Sequence, residues 1–330
     1  MSPQTNKTLE RLRQLRAQLA LRSQMQEQLV AFEHELCSQN RFFPRTEILG
    51  WVDKIAPMVL RTLLAGTTLY RARVITKAQE NAFLAPIYDS LDLFATNRPG
   101  EFGRTRLAEA YIESEIERLE SGGAPFDLAG LKKQLSAFTK KDWWGFDQKA
   151  SDAAPSDLTG NGRINPAGIS YLYASNKKDT ATLEVRPVIS QMVSIAEVVV
   201  REDITLFDLT RNVFDDEVAD DEARVFRKLL AQYFSKPNYS GDKAYLVTQY
   251  LSEYVKSVIG ATTGLSFDGI SFSSSLDREG TNYVIFDTTE HPKYEIVCSS
   301  LEKVVAVDGT LETYLPMSDA TLRALMNGTL

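Results

Sequence analysis

From about Thr8 to Leu36 the apolar residues Leu12, Leu15 and Leu19, then Met25, Leu29, Phe32 and Leu36, recur at three- and four-residue intervals. That spacing gathers side chains on one face of a helix. The pattern changes after Gly66, where TTLYRARV at 67–74 is dense in strand formers and predicts a strand. Helical spacing returns between Lys77 and Phe138, in EFGRTRLAEAYIESEIERLESGG, stopped by Gly122 and Gly123, and in DLAGLKKQLSAF, started by Asp127. We read this stretch, about 77–140, as a helical insertion.

DWWGF at 142–146 leads into QKASDAAPSDLTGNG, whose Pro, Gly, Asn, Asp and Ser content argues against regular structure. A strand is expected to begin within GISYLYAS, and Asp179 to cap a short helix, DTATLEVR, with Glu184 on its second turn. VSIAEVVVRE and ITLFDLT predict two more strands. Helical spacing covers Asp220 to Phe234 and Lys243 to Ile259, the second with Leu246, Tyr250, Tyr254 and Val258 on one side. The short runs GISFS, NYVIFD, YEIVC and KVVAV then alternate with turn signals. The expected class is α+β, with twisted, largely antiparallel sheets, an N-terminal helix and a helical insertion.

Composition narrows the function classes. A chain of 330 residues with 43% hydrophobic and 25% charged content has ordinary globular usage. A net charge of -7 lacks the basic footprint of a nucleic-acid binder. Arg11, Arg13, Arg16 and Arg22 crowd the first half of the N-terminal helix and raise a membrane-surface, nucleic-acid or partner-binding role, against which stands the commoner case of solvated arginines on a packed helix. Two cysteines, Cys37 and Cys298, make neither a disulfide framework nor a zinc site, which fits a reducing cytoplasm. The N-terminus lacks the apolar run of a secretory signal, and no stretch approaches the ~20 apolar residues that cross a bilayer. We therefore expect a cytoplasmic chain that binds neither nucleic acid nor membrane.

Familiar catalytic motifs are absent: no phosphate loop, no dinucleotide-binding G-x-G-x-x-G after a strand, and no H-E-x-x-H. Only His34 and His291 exist, so a histidine triad or a histidine metal site would hang on one residue, and both read as structural or exposed.

Four segments in order carry a different signal: LYRAR at 69–73, GRINPAGISYLYAS at 162–175, TATLEVRP at 180–187, and FDGISFSSS with NYVIF at 267–286. TQYLSEYVK at 248–256 fits the helix ahead of the last of these. Together they resemble the RES domain, a family named for dispersed Arg, Glu and Ser residues. The resemblance implies a fold like that of the ADP-ribosyltransferases and, for several members, an NAD-degrading toxin held inactive by an antitoxin. It assigns the arginine to Arg71, the glutamate to Glu184 and the serine to Ser274, with Ser273 and Ser275 as neighbouring alternatives. Strand alternation puts Phe272 and Ser274 on one face and Ser273 and Ser275 on the other without saying which lines a cleft, so Ser274 stands first and Ser275 second.

On that resemblance the chemistry is cleavage of the nicotinamide–ribose bond. The planar fork of Arg71 or Arg163 suits a pyrophosphate. A carboxylate, Glu184, suits the oxocarbenium-like charge that spreads over the ribose. Ser274 would position the ribose or amide, Tyr173 or Tyr171 would stack on a ring, and Gly168 and Gly162 would let backbone approach the ligand. Taken singly, each has a bland reading: a surface ion pair, a helix-dipole partner, a core tyrosine, a capping serine. Only their combined order argues otherwise.

We therefore expect an N-terminal helical extension at 1–45 and a RES-like catalytic domain at 46–330. The expected function is an NAD glycohydrolase or phosphorylase of the toxin or defence kind, using no cofactor, with NAD as substrate and inorganic phosphate as the co-substrate if phosphorolysis is the route. Its protein partner would be an antitoxin or other regulatory protein. The alternatives are an ADP-ribosyltransferase and a non-catalytic nucleotide-binding or interaction module; a glycosidase ranks last because no carboxylate pair stands out.

Overall fold

The computed structural model describes residues 3–79, 117, 120–122, 143, 145–210, 221–236, 245–288 and 292–305. His291 and most of the expected insertion lie outside these residues. The elements in chain order are α1 (Pro3–Ser38), α2 (Ile48–Ile55), β1 (Leu60–Leu63), β2 (Thr68–Val74), α3 (Gln148–Ser151), β3 (Leu172–Ser175), α4 (Lys178–Glu184), β4 (Met192–Val200), β5 (Ile204–Leu209), α5 (Asp221–Ser235), α6 (Leu246–Ser257), α7 (Ile259–Thr263), β6 (Gly269–Ser273), β7 (Thr281–Ile285) and β8 (Tyr294–Lys303).

The strands form one eight-stranded sheet in the order β1-β5-β6-β7-β3-β2-β4-β8. Every neighbouring pair is antiparallel except β5 and β6, which run parallel. A parallel pair needs a long crossover, and here α5, α6 and α7 lie within it. The chain is therefore α+β, as expected, with one large sheet among the described residues.

Period-two alternation sorts the strand residues into two cores. Phe207, Leu209, Ile270, Phe272 and Val284 pack with α1, α2, α5 and α6 on one face, while Leu69, Leu172, Val198, Leu206 and Ile285 belong to a second cluster with Trp143 nearby. A smaller cluster of Ala72, Ala181, Val193 and Ile195 seats α4 on β2 and β4.

Local expectations were met unevenly. Asp179 does not cap α4: the N-cap is Lys177, with no side-chain bond, and Asp179 sits in the first turn, where its charge still suits the helix dipole. The loop after Phe146 contains the short α3, because the Asp147 carboxylate accepts a hydrogen bond from the Ala150 N–H at 2.8 Å. YEIVC is the start of a longer β8, which runs to Lys303 and takes in the first residue of the expected KVVAV strand. β1 and α2 have no counterpart among the sequence expectations. Within α1 the apolar stripe divides: Met25, Leu29, Phe32 and Leu36 are buried, whereas Leu12, Leu15 and Leu19 are 57%, 49% and 65% exposed. A helix of 36 residues spans roughly 54 Å, and only its second half lies fully on the core.

Candidate active site

β2 and β3 share one register pair among the described residues, Tyr70 with Ser175. Beyond that pair no backbone ladder joins them, and the Arg71 side chain spans the gap by donating from Nη1 to the Tyr173 carbonyl at 2.9 Å. A cavity of about 690 Å³ opens here, walled by Arg71, Arg73, Tyr173, Glu184, Phe272 and Asn282 among others. Its size falls in the range of roughly 300–1,000 Å³ usual for small-molecule sites.

Glu184 is the last residue of α4. Its Oε1 accepts from the Ser274 hydroxyl at 2.7 Å and from Asn282 Nδ2 at 2.6 Å. Asn282 is fixed in turn by the Ser175 hydroxyl, which donates to its Oδ1 at 2.7 Å. No described residue donates to Glu184 Oε2. One oxygen is thus clamped and the other left open on a residue that lines the cavity.

Ser274 follows the end of β6, is fully buried, and does not line the cavity. Besides donating to Glu184, its hydroxyl accepts from the N–H groups of Leu276 at 3.1 Å and Asp277 at 3.2 Å. One donor and two lone pairs are then engaged, so Ser274 fixes the carboxylate rather than reaching a ribose or amide as the sequence had suggested. The loop it begins is tied to α4: Thr180 Oγ1 donates to Asp277 Oδ2 at 2.5 Å, a bond that holds the Asp277 carboxyl below its usual range. A Cβ on Gly280 would lie 2.6 Å from the Thr180 methyl, so the contact requires glycine there.

Tyr173 presents its ring to the cavity, while its hydroxyl donates to Asn165 Oδ1 at 2.7 Å and accepts from the Ile164 N–H at 3.1 Å. Burial pushes its pKa up to about 12. The GRINPAG loop is built around that hydroxyl. A Cβ on Gly162 would fall 2.2 Å from Asn165 Oδ1 and 2.8 Å from the Tyr173 oxygen, so Gly162 serves this packing and not a ligand approach. Gln249 of α6 donates to the carbonyls of Gly162 at 2.7 Å and Asn165 at 3.0 Å, and the Thr248 hydroxyl to that of Arg163 at 2.5 Å.

Arg163 lines the cavity, but its Nη1 donates to the Phe234 carbonyl at 2.9 Å and approaches that of Ser235 at 3.5 Å, at the C-terminus of α5. A cation there complements the helix dipole. Its guanidinium also lies 5.5 Å from the Phe272 ring centre.

Besides Ser274 and Gly162, three further sequence candidates lie off the cavity wall. Tyr171 is buried in the helix-side core, its ring 5.0 Å from that of Phe286 and its hydroxyl bonded to Glu253, and burial raises its pKa further. Gly168 occupies an exposed turn at φ +86, where its N–H donates to the Thr159 carbonyl at 2.9 Å. Ser275 is exposed and lines a separate groove with Leu15, Leu19 and Leu229. Ser273 is buried in β6. Conversely, Asn282, Ser175, Arg73 and Gln249 were not singled out from the sequence. Asparagine is depleted in strands, so the Asn282 of NYVIF was the readable signal. Among the described residues no cluster of three or more His, Cys, Asp or Glu has a metal-holding arrangement.

The matching segments thus converge on one cavity, and residues 136–304 match the model of the RES domain. The chain belongs to the RES domain family. No curated protein matches the sequence. A solved structure with some similarity is the M. tuberculosis MbcT-MbcA toxin-antitoxin complex, at 11% identity, covering 46% of this chain and 76% of that one, with a TM-score of 0.28. That likeness is too slight to bear on fold or activity. No helix among the described residues is long and apolar enough to cross a membrane.

Proposed function

We propose that this RES domain protein consumes NAD by cleaving the nicotinamide–ribose bond, as a glycohydrolase or phosphorylase of the toxin or defence kind. The observation that carries the reading is the half-clamped carboxylate of Glu184, on a cavity wall it shares with Arg71 and Tyr173. Support also comes from the activity that the family resemblance implies.

In this mechanism the nicotinamide leaves as a neutral base with the bonding electron pair, and positive charge develops on the ribose. The open oxygen of Glu184 stabilises that charge or orients the attacking water or phosphate. Ser274 and Asn282 hold the carboxylate in place beforehand, so it need not reorganise as the bond breaks. The Tyr173 ring offers a stacking face for the nicotinamide or adenine. An antitoxin or other regulatory protein covering the cavity would restrain the activity.

Nicotinamide release from NAD by the purified protein and by Glu184→Gln, with and without inorganic phosphate, tests the reading. Release by the wild type that collapses in the variant is expected, and a phosphate requirement would identify the acceptor. Transfer of label from NAD onto protein would point to ADP-ribosylation instead. A folded wild type that leaves NAD intact sinks the proposal.

A further inference from the structure

Arg71 and Arg73 are two residues apart on β2, so alternation turns them to the same face, and both line the cavity. Their observed donations go to neutral backbone oxygens: Arg71 Nη1 to the Tyr173 carbonyl at 2.9 Å and Arg73 Nη2 to the Asp152 carbonyl at 2.6 Å. Among the described residues no carboxylate lies within ion-pair distance of either guanidinium. The Asp152 carboxylate beside them is engaged by the Tyr294 hydroxyl at 2.7 Å and by the Ala153 N–H at 2.7 Å. The Nε of Arg71 is buried without a partner.

Two like charges side by side, offset only in part by the Asp152 carboxylate, are an unfavourable arrangement, and it shows on Arg71. Desolvation first, and Arg73 second, lower its pKa to about 10. Arg73 itself is braced by the Phe146 ring, 5.9 Å away. Phe146 is pinned by its N–H to the Ser194 hydroxyl at 3.0 Å, and its carbonyl accepts from Ser299 at 2.7 Å and Ser151 at 3.0 Å. The pair is therefore held in place near the Asp152 charge but with no direct ion pair among the described residues, and an anion bridging two guanidinium forks would supply that pairing.

Arg163 is differently placed. The carbonyls it faces end α5, whose helix dipole offsets its charge, and the leading charge that repels Arg71 is Arg73. We propose that Arg73, and not Arg163, completes with Arg71 a two-guanidinium clamp for the diphosphate of a dinucleotide. The dinucleotide rests on the NAD reading above; the diphosphate clamp does not.

The test is calorimetric binding of ADP and of adenosine to the wild type, Arg73→Gln, Arg73→Lys and Arg163→Gln, with thermal melts beside them. ADP affinity should fall roughly ten- to hundredfold in Arg73→Gln, the loss expected when a charge-assisted hydrogen bond is removed, with adenosine affinity unchanged. Arg73→Lys keeps the charge without the fork and should lose less, and it serves if the glutamine variant does not fold. Unaltered ADP affinity in both Arg73 variants, an equal loss for adenosine, or a larger loss in Arg163→Gln would overturn the clamp. A wild type that binds ADP through Arg73 yet releases no nicotinamide would sink the NAD reaction and leave the clamp standing; active wild type with Arg73 variants of normal ADP affinity would do the reverse.

Discussion

Two carboxylates meet the same sheet and are treated oppositely by it. Asp208 on β5 is fully buried, and both its oxygens are engaged. Oδ1 accepts from the Ser271 hydroxyl at 2.7 Å and the Thr210 N–H at 3.0 Å, and Oδ2 from Arg61 at 3.2 Å. Glu184 also has a serine partner, with Asn282 as a second donor, but both bonds converge on Oε1 and its other oxygen is left to the cavity. A saturated carboxylate fixes structure, here the parallel junction of β5 with β6, where Asp208 and Ser271 are register partners. A half-saturated one is rigid and still able to act on something else.

The sharpest way to break the comparison is to neutralise each acid in turn. Glu184→Gln keeps an oxygen for Ser274 and Asn282, so its melting temperature should stay near that of the wild type while nicotinamide release falls on the order of 10²–10³-fold. Asp208→Asn should do the opposite, lowering stability by about 1–3 kcal/mol in denaturant unfolding with the rate per folded molecule kept. Loss of activity in a folded Asp208→Asn protein would mean that the two carboxylates do not differ in kind.

Smaller changes sharpen the contrast. Asn282→Asp would set a second carboxylate against Glu184, and two acids so close share a proton. The acid limb of the pH–rate profile should then move to higher pH, since the proton must leave before Glu184 can stabilise a cation. Ser274→Ala frees Glu184 on one side and should lower the turnover number about tenfold, the worth of one hydrogen bond to a charged group, and more than it raises the KM. The mildest change is Ser271→Ala, expected to cost about 1 kcal/mol of stability with kinetics unchanged.

Much of this was legible in the chain. The strand-forming residues of VSIAEVVVRE and ITLFDLT and the turn signals around GISFS predicted strands where β4, β5 and β6 stand, and the three- and four-residue spacing predicted α1, α5 and α6. Glu184 and Ser274 were legible only as members of an ordered set of segments, and the structure joins them by a direct hydrogen bond. Tyr171 and Tyr173 were indistinguishable by alternation, because both turn toward the same core; only the opening between β2 and β3 gives Tyr173 a cavity and leaves Tyr171 sealed beneath helices.

The apolar stripe of α1 shows the same limit from the other side. Periodicity marks Leu15 and Leu29 as equivalents, yet Leu29 is fully buried and Leu15 is 49% exposed. The sequence by itself determined what each residue can do: which segments extend or coil, which side of each is apolar, and where a carboxylate, a guanidinium and hydroxyls are supplied. Only the tertiary structure decided which of those groups are used up. Whether these groups are satisfied depends on partners 63 to 90 positions away, Ser271 for Asp208, Ser274 for Glu184 and the Phe234 carbonyl for Arg163, and short-range patterning holds no information about them.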